Sequence, residues 1–577
     1  MALCVLLAAS VLVVTLLLCT GSPALFGEEG TGSSGDSGIR FKILAVNDFH
    51  GQLPPGQIMN DRPAGSAPVL AAYLKQATAV FGQSNTILAL PGDIVGASPP
   101  ESGLLHDEPA LLFFNDLAGA CSNGTVMQPD PGCMVVATAG NHDFDRPTAE
   151  LLRQVYGGNG TTAFPHPVDP YPGFFPGYTC SNIVFKENGT LLFPPYVIRS
   201  MGGVPVAFIG ADTSLTPTLL APDRAGDVQF LNETASINHY VTEVNRAGVH
   251  AIVVLLHEGG DQQAYEGATK AGGNVSGRVT GIVAGLDGDV DVVLSAHTHK
   301  FTNTYLPNRE GRPVLVTQAY SYGKGYADIN LTLDPSSRDI VEKTAQIVIT
   351  YADTPPGSMP DPGAAALLAR TKAIVAPEVG RHVAVASRDI SGKENACGES
   401  ELGDLLADAQ RSVMKTDVAF ITTGTLRADL EKGEVTWGDL FSVQPFSGTV
   451  VSMNLTGRQI QEALERQWVE PLPPHNLGVS GLTYRFSMDK PAGNRVEDVR
   501  IGGVPVNPDA VYSAAVMDYL SIGGDRYIVF TEGSDLKSGP LDVDAFAMYL
   551  AGLPQPVNGT AGTRILCTGT GSERPAR

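Results

Sequence analysis

The stretch FKILAVNDFHG, residues 41–51, sets an apolar run directly before a polar turn. Its first half, FKILAV, is rich in branched apolar side chains and has the length of a strand that is covered on both faces. Its second half places Asp48 and His50 where that strand would end. Because ligands of layered α/β proteins gather at the carboxyl ends of strands, the stretch predicts a buried strand that delivers polar side chains to a site.

Four further stretches within the first three hundred positions repeat this arrangement. Their polar motifs are LPGDIVG at residues 90–96, AGNHDFD at 139–145, LLHEGG at 255–260 and LSAHTH at 294–299. The runs before them, NTILAL, CMVVAT, AIVVLL and VDVVLS, are again suited to fully buried strands. The repetition predicts a layered α/β domain whose strands converge on one site.

The polar residues after these runs form a set of candidate metal ligands: Asp48, His50, Asp93, Asn141, His257, His297 and His299. The set offers nitrogen and oxygen donors and no cysteine, which favours zinc, manganese, iron or magnesium over a thiolate site. It exceeds the need of one tetrahedral ion. Two divalent metal ions sharing a bridging carboxylate would use every ligand, and ion pairs about 3.5 to 4 Å apart serve phosphoester hydrolysis by metal-activated water.

In order and type, the five motifs resemble those of the dinuclear metallophosphoesterases, and within them the two-domain 5'-nucleotidase and UDP-sugar hydrolase family. The resemblance implies a four-layered metallophosphoesterase domain, a β-sandwich flanked by helices, that a linker helix joins to a C-terminal α+β domain. It implies that the first ion is bound by Asp48, His50, Asp93 and His299. It implies that the second ion is bound by Asn141, His257, His297 and the bridging Asp93.

The motif AGNHDFD carries a further implication of the resemblance. His142, with Asp145 three residues later, matches the family's catalytic pair, in which the histidine stabilises the phosphate in the transition state and the aspartate orients its ring. The chemistry agrees, because an imidazole held by a carboxylate is favoured as a cation and can donate to developing negative charge.

The second half of the chain carries motifs that the family uses for substrate binding. ITTGTLRADL, residues 421–430, matches a Gly-rich turn that ends in a phosphate-binding arginine, here Arg427. VQPFSG and MDYLSIGGDRY place Phe446 and Tyr519 where relatives clamp the base, and Asp525 where they hold the ribose hydroxyls. Each stacked ring stabilises a bound base by roughly 1 to 3 kcal/mol and tolerates several bases.

Several positions depart from the family pattern. Thr422 replaces an asparagine, and Ala396 replaces a second phosphate-binding arginine, for which Lys393 nearby is a substitute without the bidentate fork. Glu401 and Asp404 replace asparagines, and their charge would weaken phosphate binding unless they face solvent or a helix amino terminus. The departures leave the substrate preference open.

Length and composition predict a large globular protein that acts on small molecules. The chain has 577 residues, 43% hydrophobic and 17% charged, which favours two globular domains. The net charge of -22 argues against nucleic-acid polymers and anionic membranes, because both select for basic patches. A nucleotide remains compatible, since metals and arginines set the local field. The sequence makes no prediction of oligomeric state.

A proline and glycine cluster marks the predicted domain boundary. ADTPPGSMPDPG, residues 352–363, precedes the helix-like AAALLARTKAIVAPEV. We expect a catalytic domain at residues 38–351, a linker with a helix at 352–379 and a substrate-binding domain at 380–567.

The amino terminus and the sequons favour secretion. An apolar run at residues 2–19, followed by small residues, predicts a signal peptide over residues 1–26, and its length leaves a retained signal anchor as the alternative. N-x-S/T sequons, which permit glycosylation, begin at Asn123, Asn159, Asn188, Asn232, Asn274, Asn330, Asn454 and Asn558.

The cysteines beyond the signal predict one disulfide and leave the rest open. Cys121 and Cys133 bracket a polar loop and are the predicted pair, while the pairing of Cys180, Cys397 and Cys567 is undecided. No apolar tail follows Cys567, so no lipid anchor is expected.

Together these features predict a secreted, glycosylated enzyme, a 5'-nucleotidase-like phosphohydrolase that removes the 5'-phosphate of nucleoside monophosphates. Alternatives within the same family are hydrolases of nucleoside di- or triphosphates, of UDP-sugars or of 2',3'-cyclic nucleotides. A further alternative is a secreted protein that binds nucleotides without catalysis.

Overall fold

The structure is a computed structural model that describes residues 38–119, 121, 130, 132–161, 163–220, 224–354, 360–446, 448–468, 474–559 and 563–568. The predicted signal peptide, the sequon at Asn123 and residues 355–359 of the proline and glycine cluster lie outside this set. Of the helices in the described ranges, none has both the length and the apolar character needed to cross a membrane.

The first sheet contains the strands that precede the first three motifs. Ile39–Ala45 pairs parallel with Thr86–Pro91, which pairs parallel with Val135–Thr138. The strand order across the sheet is Asp339–Ile349, Gly325–Asp334, Ile39–Ala45, Thr86–Pro91, Val135–Thr138 and Gly177–Thr179. Parallel pairing brings the carboxyl ends of the three motif strands to one edge of the sheet.

The second sheet contains the strands that precede the other two motifs. Ala251–His257 pairs parallel with Val292–Ser295. The strand order is Lys270–Ala271, Phe301–Pro307, Pro313–Ala319, Val292–Ser295, Ala251–His257, Val204–Asp212 and Tyr196–Met201.

Alternate residues of the motif strands enter different hydrophobic cores, which explains why the runs are apolar throughout. Ile43 packs between the two sheets, whereas Leu44 packs under the helices that cover the first sheet. In the same way, Val253 packs between the two sheets, and Val254 packs under the helices that cover the second sheet. Each fully buried aliphatic side chain stabilises the fold by roughly 1.5 to 3 kcal/mol, so both faces contribute.

Helices complete the predicted four-layered arrangement. Those packed on the first sheet are Ala67–Phe81, Glu108–Ala118 and Thr148–Tyr156, and those packed on the second are Glu233–Arg246 and Arg278–Gly285. Shorter elements lie between them: helices Pro100–Gly103 and Thr216–Leu219, and strand pairs Gln57–Met59 with Arg62–Ala64, Ile183–Phe185 with Val228–Phe230, and Asp261–Gln262 with Val275–Ser276. The predicted sandwich flanked by helices is confirmed.

A long helix, Pro362–Val379, follows the first part of the chain. It begins at Asp361, whose side chain accepts a hydrogen bond from the backbone N–H of Ala364 at 2.9 Å, with Pro362 in the first turn. The helix contacts Ala67–Phe81 of the first part and Trp437–Val443 of the second. As a domain boundary, the linker at residues 352–379 stays a prediction.

The second part of the chain has the predicted α+β composition. One sheet orders its strands as Leu477–Ser480, Val418–Thr422, Val511–Met517, Thr449–Thr456 and Ser534–Leu541, and a smaller sheet as Val504–Pro505, Val496–Ile501, Leu482–Ser487 and Ile565–Thr568. His382–Ala386 pairs with Gly433–Thr436. The helices are Glu401–Met414, Trp437–Val443, Gly457–Glu465, Asp518–Ser521 and Asp542–Gly552. Both parts together give the predicted two-domain α/β architecture.

Two disulfides join cysteines of the described residues. Cys121 is bonded to Cys133, as predicted. Cys397 is bonded to Cys567, 170 positions later, which the sequence left open. Cys180 is buried and its thiol is free.

Candidate metal centre and active site

The five motifs meet at the carboxyl ends of the two sheets, and their candidate ligands form two groups that share Asp93. One group is Asp48, His50, Asp93 and His299, and the other is Asp93, His257 and His297, with the ligand atoms of each group within 4.8 Å of one another. Asn141 joins the second group, because its Oδ1 lies 2.8 Å from His297 Nδ1 and 3.2 Å from His257 Nε2. The structure therefore brings all of the predicted ligands together.

The first group has donor atoms that face one another across a small gap. His50 Nε2 lies 3.0 Å from His299 Nε2, and His299 Nε2 lies 3.6 Å from Asp48 Oδ1. Asp93 Oδ2 makes no hydrogen bond within the described residues, although it is buried and lies 3.2 Å from His257 Nε2 and 3.6 Å from His50 Nε2. A buried carboxylate oxygen surrounded by imidazole nitrogens fits a divalent cation.

Burial sets the protonation of these groups. Loss of solvent lowers the pKa of His50 to about 3 and that of His297 to about 4, so both rings are neutral and keep a lone pair. Burial also raises the pKa of Asp48 to about 7. Divalent cations stabilise a carboxylate and bind neutral imidazoles. A buried carboxyl group beside neutral imidazoles therefore fits a site for divalent cations.

The backbone of the motifs is held in an uncommon conformation. The candidate ligands with φ between 48° and 72° are Asp48, His50, Asp93, His297 and His299. A non-glycine residue in this left-handed region costs of order 1 to 3 kcal/mol and persists where the surroundings impose it. The glycines of the motifs permit the close approach: a Cβ on Gly140 would lie 2.3 Å from Asp93 Oδ1, and one on Gly92 would lie 2.3 Å from His257 Nδ1.

Backbone carbonyl groups fix the orientation of two imidazoles. His50 Nδ1 donates to the carbonyl oxygen of Gly96 at 2.9 Å, and His257 Nδ1 donates to that of Pro91 at 3.0 Å. With Nδ1 bonded in this way, Nε2 of each ring is the atom placed to bind a metal. Asn47, which the sequence analysis did not single out, donates from Nδ2 to Asp48 Oδ2 at 2.6 Å.

His142 and Asp145 lie beside this cluster as a hydrogen-bonded pair. His142 Nδ1 lies 2.9 Å from Asp145 Oδ2, and the ring of His142 lies 5.0 Å from that of His50. Burial alone would lower the pKa of His142, but the charges of Asp145 and Asp93 outweigh it and raise the pKa. The glycine of the second motif makes room for the pair, since a Cβ on Gly96 would lie 2.7 Å from Asp145 Oδ2.

Two predicted substrate-binding residues from the second part of the chain contact His142. Arg427 Nη2 donates to His142 Nε2 at 3.3 Å, and the Phe446 ring lies 6.1 Å from the His142 ring at an interplanar angle of 25°. The guanidinium of Arg427 also lies 5.4 Å from the centre of the Phe446 ring. Arg427 and Phe446 thus contact each other and both contact His142 of the candidate catalytic pair.

The other two predicted substrate-binding residues are hydrogen-bonded to each other. Tyr519 donates from its hydroxyl to Asp525 Oδ1 at 2.8 Å, and the N–H of Asp525 donates back to the same hydroxyl at 2.9 Å. Thr422, the departure from asparagine, donates to Asp525 Oδ2 at 2.6 Å. The threonine therefore helps to hold the carboxylate of Asp525 in place.

The remaining departures from the family pattern lie away from the candidate ligands. Glu401 begins the helix Glu401–Met414 and forms an ion pair with Arg388. Asp404, in the first turn of the same helix, is fully buried with Oδ2 3.5 Å from Arg564 Nε. Lys393 and Ala396 are exposed. Both acidic residues therefore lie in the first turn of the helix, and each has an arginine beside it.

Tyr322 completes the wall of the cluster and was not predicted. Its ring lies 5.4 Å from that of His50 and 5.3 Å from that of His299, and its N–H donates to the carbonyl oxygen of Asp48 at 2.7 Å. It also lines a cleft of about 470 Å³ that Arg427 and Ser98 border. No motif of the sequence points to Tyr322, because it follows a different strand, Pro313–Ala319.

Comparison with known families agrees with this geometry. Residues 41–301 match the calcineurin-like phosphoesterase family, and residues 378–532 match the 5'-nucleotidase C-terminal domain. The chain belongs to the two-domain 5'-nucleotidase family. The predicted family is confirmed, and its first domain matches a phosphoesterase family, in agreement with the predicted enzyme class, a phosphoric ester hydrolase.

Individual relatives align with most of this chain. Endonuclease YhcR of Bacillus subtilis is 31% identical over 536 residues, covering 91% of this chain and 41% of that protein. A 5'-nucleotidase of Vibrio cholerae is 24% identical over 579 residues, covering 95% of this chain and 96% of that protein. The crystal structure of a 5'-nucleotidase precursor from Thermus thermophilus has a TM-score of 0.74 and 24% identity, covering 93% of this chain and all of the other. This member of the family therefore spans less than half of the first relative and nearly all of the second.

Proposed function

We propose that the protein is a secreted metal-dependent phosphohydrolase that removes the 5'-phosphate of nucleoside monophosphates. The observation that carries the proposal is the pair of ligand groups sharing Asp93, with the His142 and Asp145 pair between that cluster and Arg427. Two divalent ions, when bound by these ligands, would supply positive charge and Lewis acidity at the phosphorus.

His142, Asp145 and Arg427 would each contribute to stabilising a bound phosphate. Asp145 accepts from Nδ1 of His142, so Nε2 is the atom that can donate to a phosphate oxygen when the ring is protonated. Arg427 presents a second cation at 3.3 Å from the same Nε2. Two adjacent cations repel each other, and a phosphate dianion beside both would relieve that repulsion as its negative charge develops.

The leaving nucleoside would be held by the second part of the chain. Phe446 offers a ring next to His142, and Tyr519 and Asp525 offer a ring and a carboxylate that are joined by hydrogen bonds. Burial alone would raise the pKa of Asp525, but hydrogen bonds from His475, Thr422 and Tyr519 outweigh it and lower the pKa to about 2. An ionised carboxylate is the form that accepts hydrogen bonds from ribose hydroxyls.

Secretion is supported by features of the described residues. Disulfides Cys121–Cys133 and Cys397–Cys567 are typical of proteins that fold in an oxidising compartment. Sequon asparagines Asn188, Asn274 and Asn558 reach the surface and are therefore accessible to glycosylation. The protein recovered from the culture medium should begin near residue 27; recovery only with membranes and with the apolar run retained would favour the signal anchor.

The experiment that tests the activity is phosphate release from AMP after chelation and after addition of manganese or zinc. We expect activity that is lost with the chelator and returns with the ion. The same assay on an Asp93→Asn variant should give no activity with either ion. Equal activity of wild type and variant would contradict the proposal, and nucleotide binding without hydrolysis by both would favour the non-catalytic alternative.

A phosphodiesterase is the second candidate, and one observation favours it. Of the two positions where the family places phosphate-binding arginines, only Arg427 is an arginine, and Lys393 is exposed. A diester carries less negative charge than a terminal phosphate and needs fewer cations. Parallel assays with 2',3'-cyclic AMP, ADP and UDP-glucose distinguish these alternatives: activity on the cyclic diester alone would replace the monoesterase proposal.

A further inference from the structure

His475 lies in direct contact with the predicted nucleoside-binding residues. Its Nδ1 lies 3.2 Å from Asp525 Oδ1, the same oxygen that accepts from the Tyr519 hydroxyl. The side chains of His475 and Asp525 are 18% and 11% exposed, so the pair is largely buried and still reaches the surface. His475 stands fifty positions before Asp525 and belongs to no motif that the family resemblance assigns to substrate binding.

Both carboxylate oxygens of Asp525 are in contact with hydrogen-bond donors from other side chains of the protein. Oδ1 meets Tyr519 and His475, and Oδ2 accepts from Thr422 at 2.6 Å. The backbone of Asp525 is fixed as well, in a left-handed conformation with φ of 48°. A carboxylate held in this way has a single orientation, and His475 is one of the three side chains that define it.

The backbone around His475 is itself anchored. The N–H of His475 donates to the carbonyl oxygen of Gln467 at 3.1 Å, and the carbonyl oxygen of His475 accepts from the hydroxyl of Tyr527. The neighbouring Asn476 donates from Nδ2 to Glu394 at 2.6 Å. The imidazole is therefore presented from a segment that hydrogen bonds hold in place, which suits a residue that sets geometry for a ligand.

The cluster lies on the side of the candidate active site. Thr422, which donates to Asp525 Oδ2, stands five positions before Arg427, and Arg427 Nη2 lies 3.3 Å from His142 Nε2. The turn Gly524–Arg526 also contacts the helix Thr216–Leu219 of the first part of the chain. His475 is therefore placed to affect a ligand that extends from His142 toward Asp525.

We infer that His475 is a specificity-determining residue that positions Asp525 for the nucleoside part of the substrate. The inference rests on the proposed function for its link to hydrolysis, and on the contacts of His475 for its link to nucleosides. Nδ1 of His475 faces Asp525 Oδ1, which leaves Nε2 as the ring nitrogen that can contact a ribose hydroxyl or the base. The chemical class that this arrangement recognises is a nucleoside with its hydroxyl groups free.

The test compares His475→Phe, which keeps a ring and removes the donor, with His475→Gln, which keeps an N–H donor. The matched control is His382→Phe, because His382 is 56% exposed on the same part of the chain and pairs with Glu434. Each protein is assayed with manganese on AMP and on p-nitrophenyl phosphate, and adenosine binding is measured by titration calorimetry without hydrolysis.

We expect His475→Phe to raise KM for AMP about tenfold and to weaken adenosine binding by a similar factor, the loss of one hydrogen bond to a charged group. KM for p-nitrophenyl phosphate should stay within about twofold, and His475→Gln should recover part of the loss. A purely structural role would change both substrates together and would not distinguish Gln from Phe. The control should match the wild type in every assay.

The outcomes separate the inference from the proposed function. If the wild type binds adenosine, and His475→Phe weakens that binding while neither protein hydrolyses AMP, the inference holds and the proposed function fails. If AMP is hydrolysed with the same KM by wild type and His475→Phe, the inference is overturned and the proposed function stands. A wild type that does not bind adenosine also overturns the inference.

Discussion

Arg427 Nη2 lies 3.3 Å from His142 Nε2, although the two residues are 285 positions apart in the chain. Arg427 follows the short helical turn Thr423–Thr425 of the second part, and His142 belongs to the turn Asn141–Phe144 of the first. A phosphate bound beside His142 would therefore meet side chains from both parts. Under the proposed function, the position of the second part relative to the first would be a condition of phosphate binding as well as of nucleoside binding.

Replacing this arginine should weaken transition-state binding. We expect Arg427→Gln to lower kcat/KM for AMP by about 10- to 100-fold, since a charged hydrogen bond is worth roughly 1.5 to 3 kcal/mol. Steady-state kinetics with p-nitrophenyl phosphate should show a loss of similar size, because the contact is to the phosphate. Arg458→Gln, which removes an exposed ion pair with Asp509, is the control and should change neither value.

Removing the candidate catalytic histidine should affect turnover and leave metal binding intact. We expect His142→Ala to reduce kcat by about 10² to 10⁴, the effect of losing one positioned donor. Metal content measured by mass spectrometry should match that of the wild type, because His142 is outside both ligand groups. Turnover within about twofold of wild type would exclude the catalytic assignment, and His250→Ala, which alters a half-exposed histidine, is the control.

Metal removal should reduce stability as well as activity. Asp48 and Asp93 are buried carboxyl groups at the centre of the cluster, and bound cations would stabilise their ionised forms. An ion at about 100 times its Kd stabilises the folded protein by about 2.7 kcal/mol. The melting temperature of the chelated protein should therefore rise when manganese is added, and that of Asp93→Asn should not. A melting temperature that ignores manganese in the wild type would contradict the metal assignment.

A buried carboxyl group away from the site should give a measurable pH dependence. Burial, opposed by Arg564 and reinforced by Glu399 and Asp408, raises the pKa of Asp404 to about 8. The folded protein then keeps a proton that the unfolded chain releases above its ordinary value near 3.8. This contribution to stability is fully present below that value and is lost as pH rises toward 8.

The variant Asp404→Asn removes that ionisation. We expect it to raise the free energy of unfolding at about pH 8 by about 1 to 3 kcal/mol and to flatten its pH dependence between about 4 and 8. Denaturant unfolding at several pH values measures both effects. Asp509→Asn, at an aspartate that is 82% exposed, should leave the curve unchanged, and a destabilised Asp404→Asn would mean that the carboxylate is needed in its charged form.

The strands and the ligand set could be predicted because their sequence signals are local. Residues such as Ile43 and Leu44 are apolar on both faces of the strand, and each run ends where a ligand begins. The resemblance then supplied the grouping around Asp93, which spacing alone leaves undetermined. The structure agrees with that grouping in its distances.

Other contacts could not be predicted, since they depend on tertiary packing. Tyr322 contacts His50 from the turn that follows the strand Pro313–Ala319, and His475 contacts Asp525 from the residues just before the strand Leu477–Ser480. The roles of Thr422 and Asp404 required the positions of Asp525 and Arg564, which no local pattern encodes. The pairing of Cys397 with Cys567 likewise needed the parallel placement of the strand Ile565–Thr568 beside Leu482–Ser487.

That disulfide has a consequence for limited proteolysis. Cys397 and Cys567 are covalently joined across 170 positions, and the exposed turn at Gly502 and Gly503 lies between them. A protease that cuts this turn would leave both fragments attached to each other. The nicked protein would migrate as a single band without reducing agent and as two bands with it, because a cut at this turn would not release the strand Ile565–Thr568.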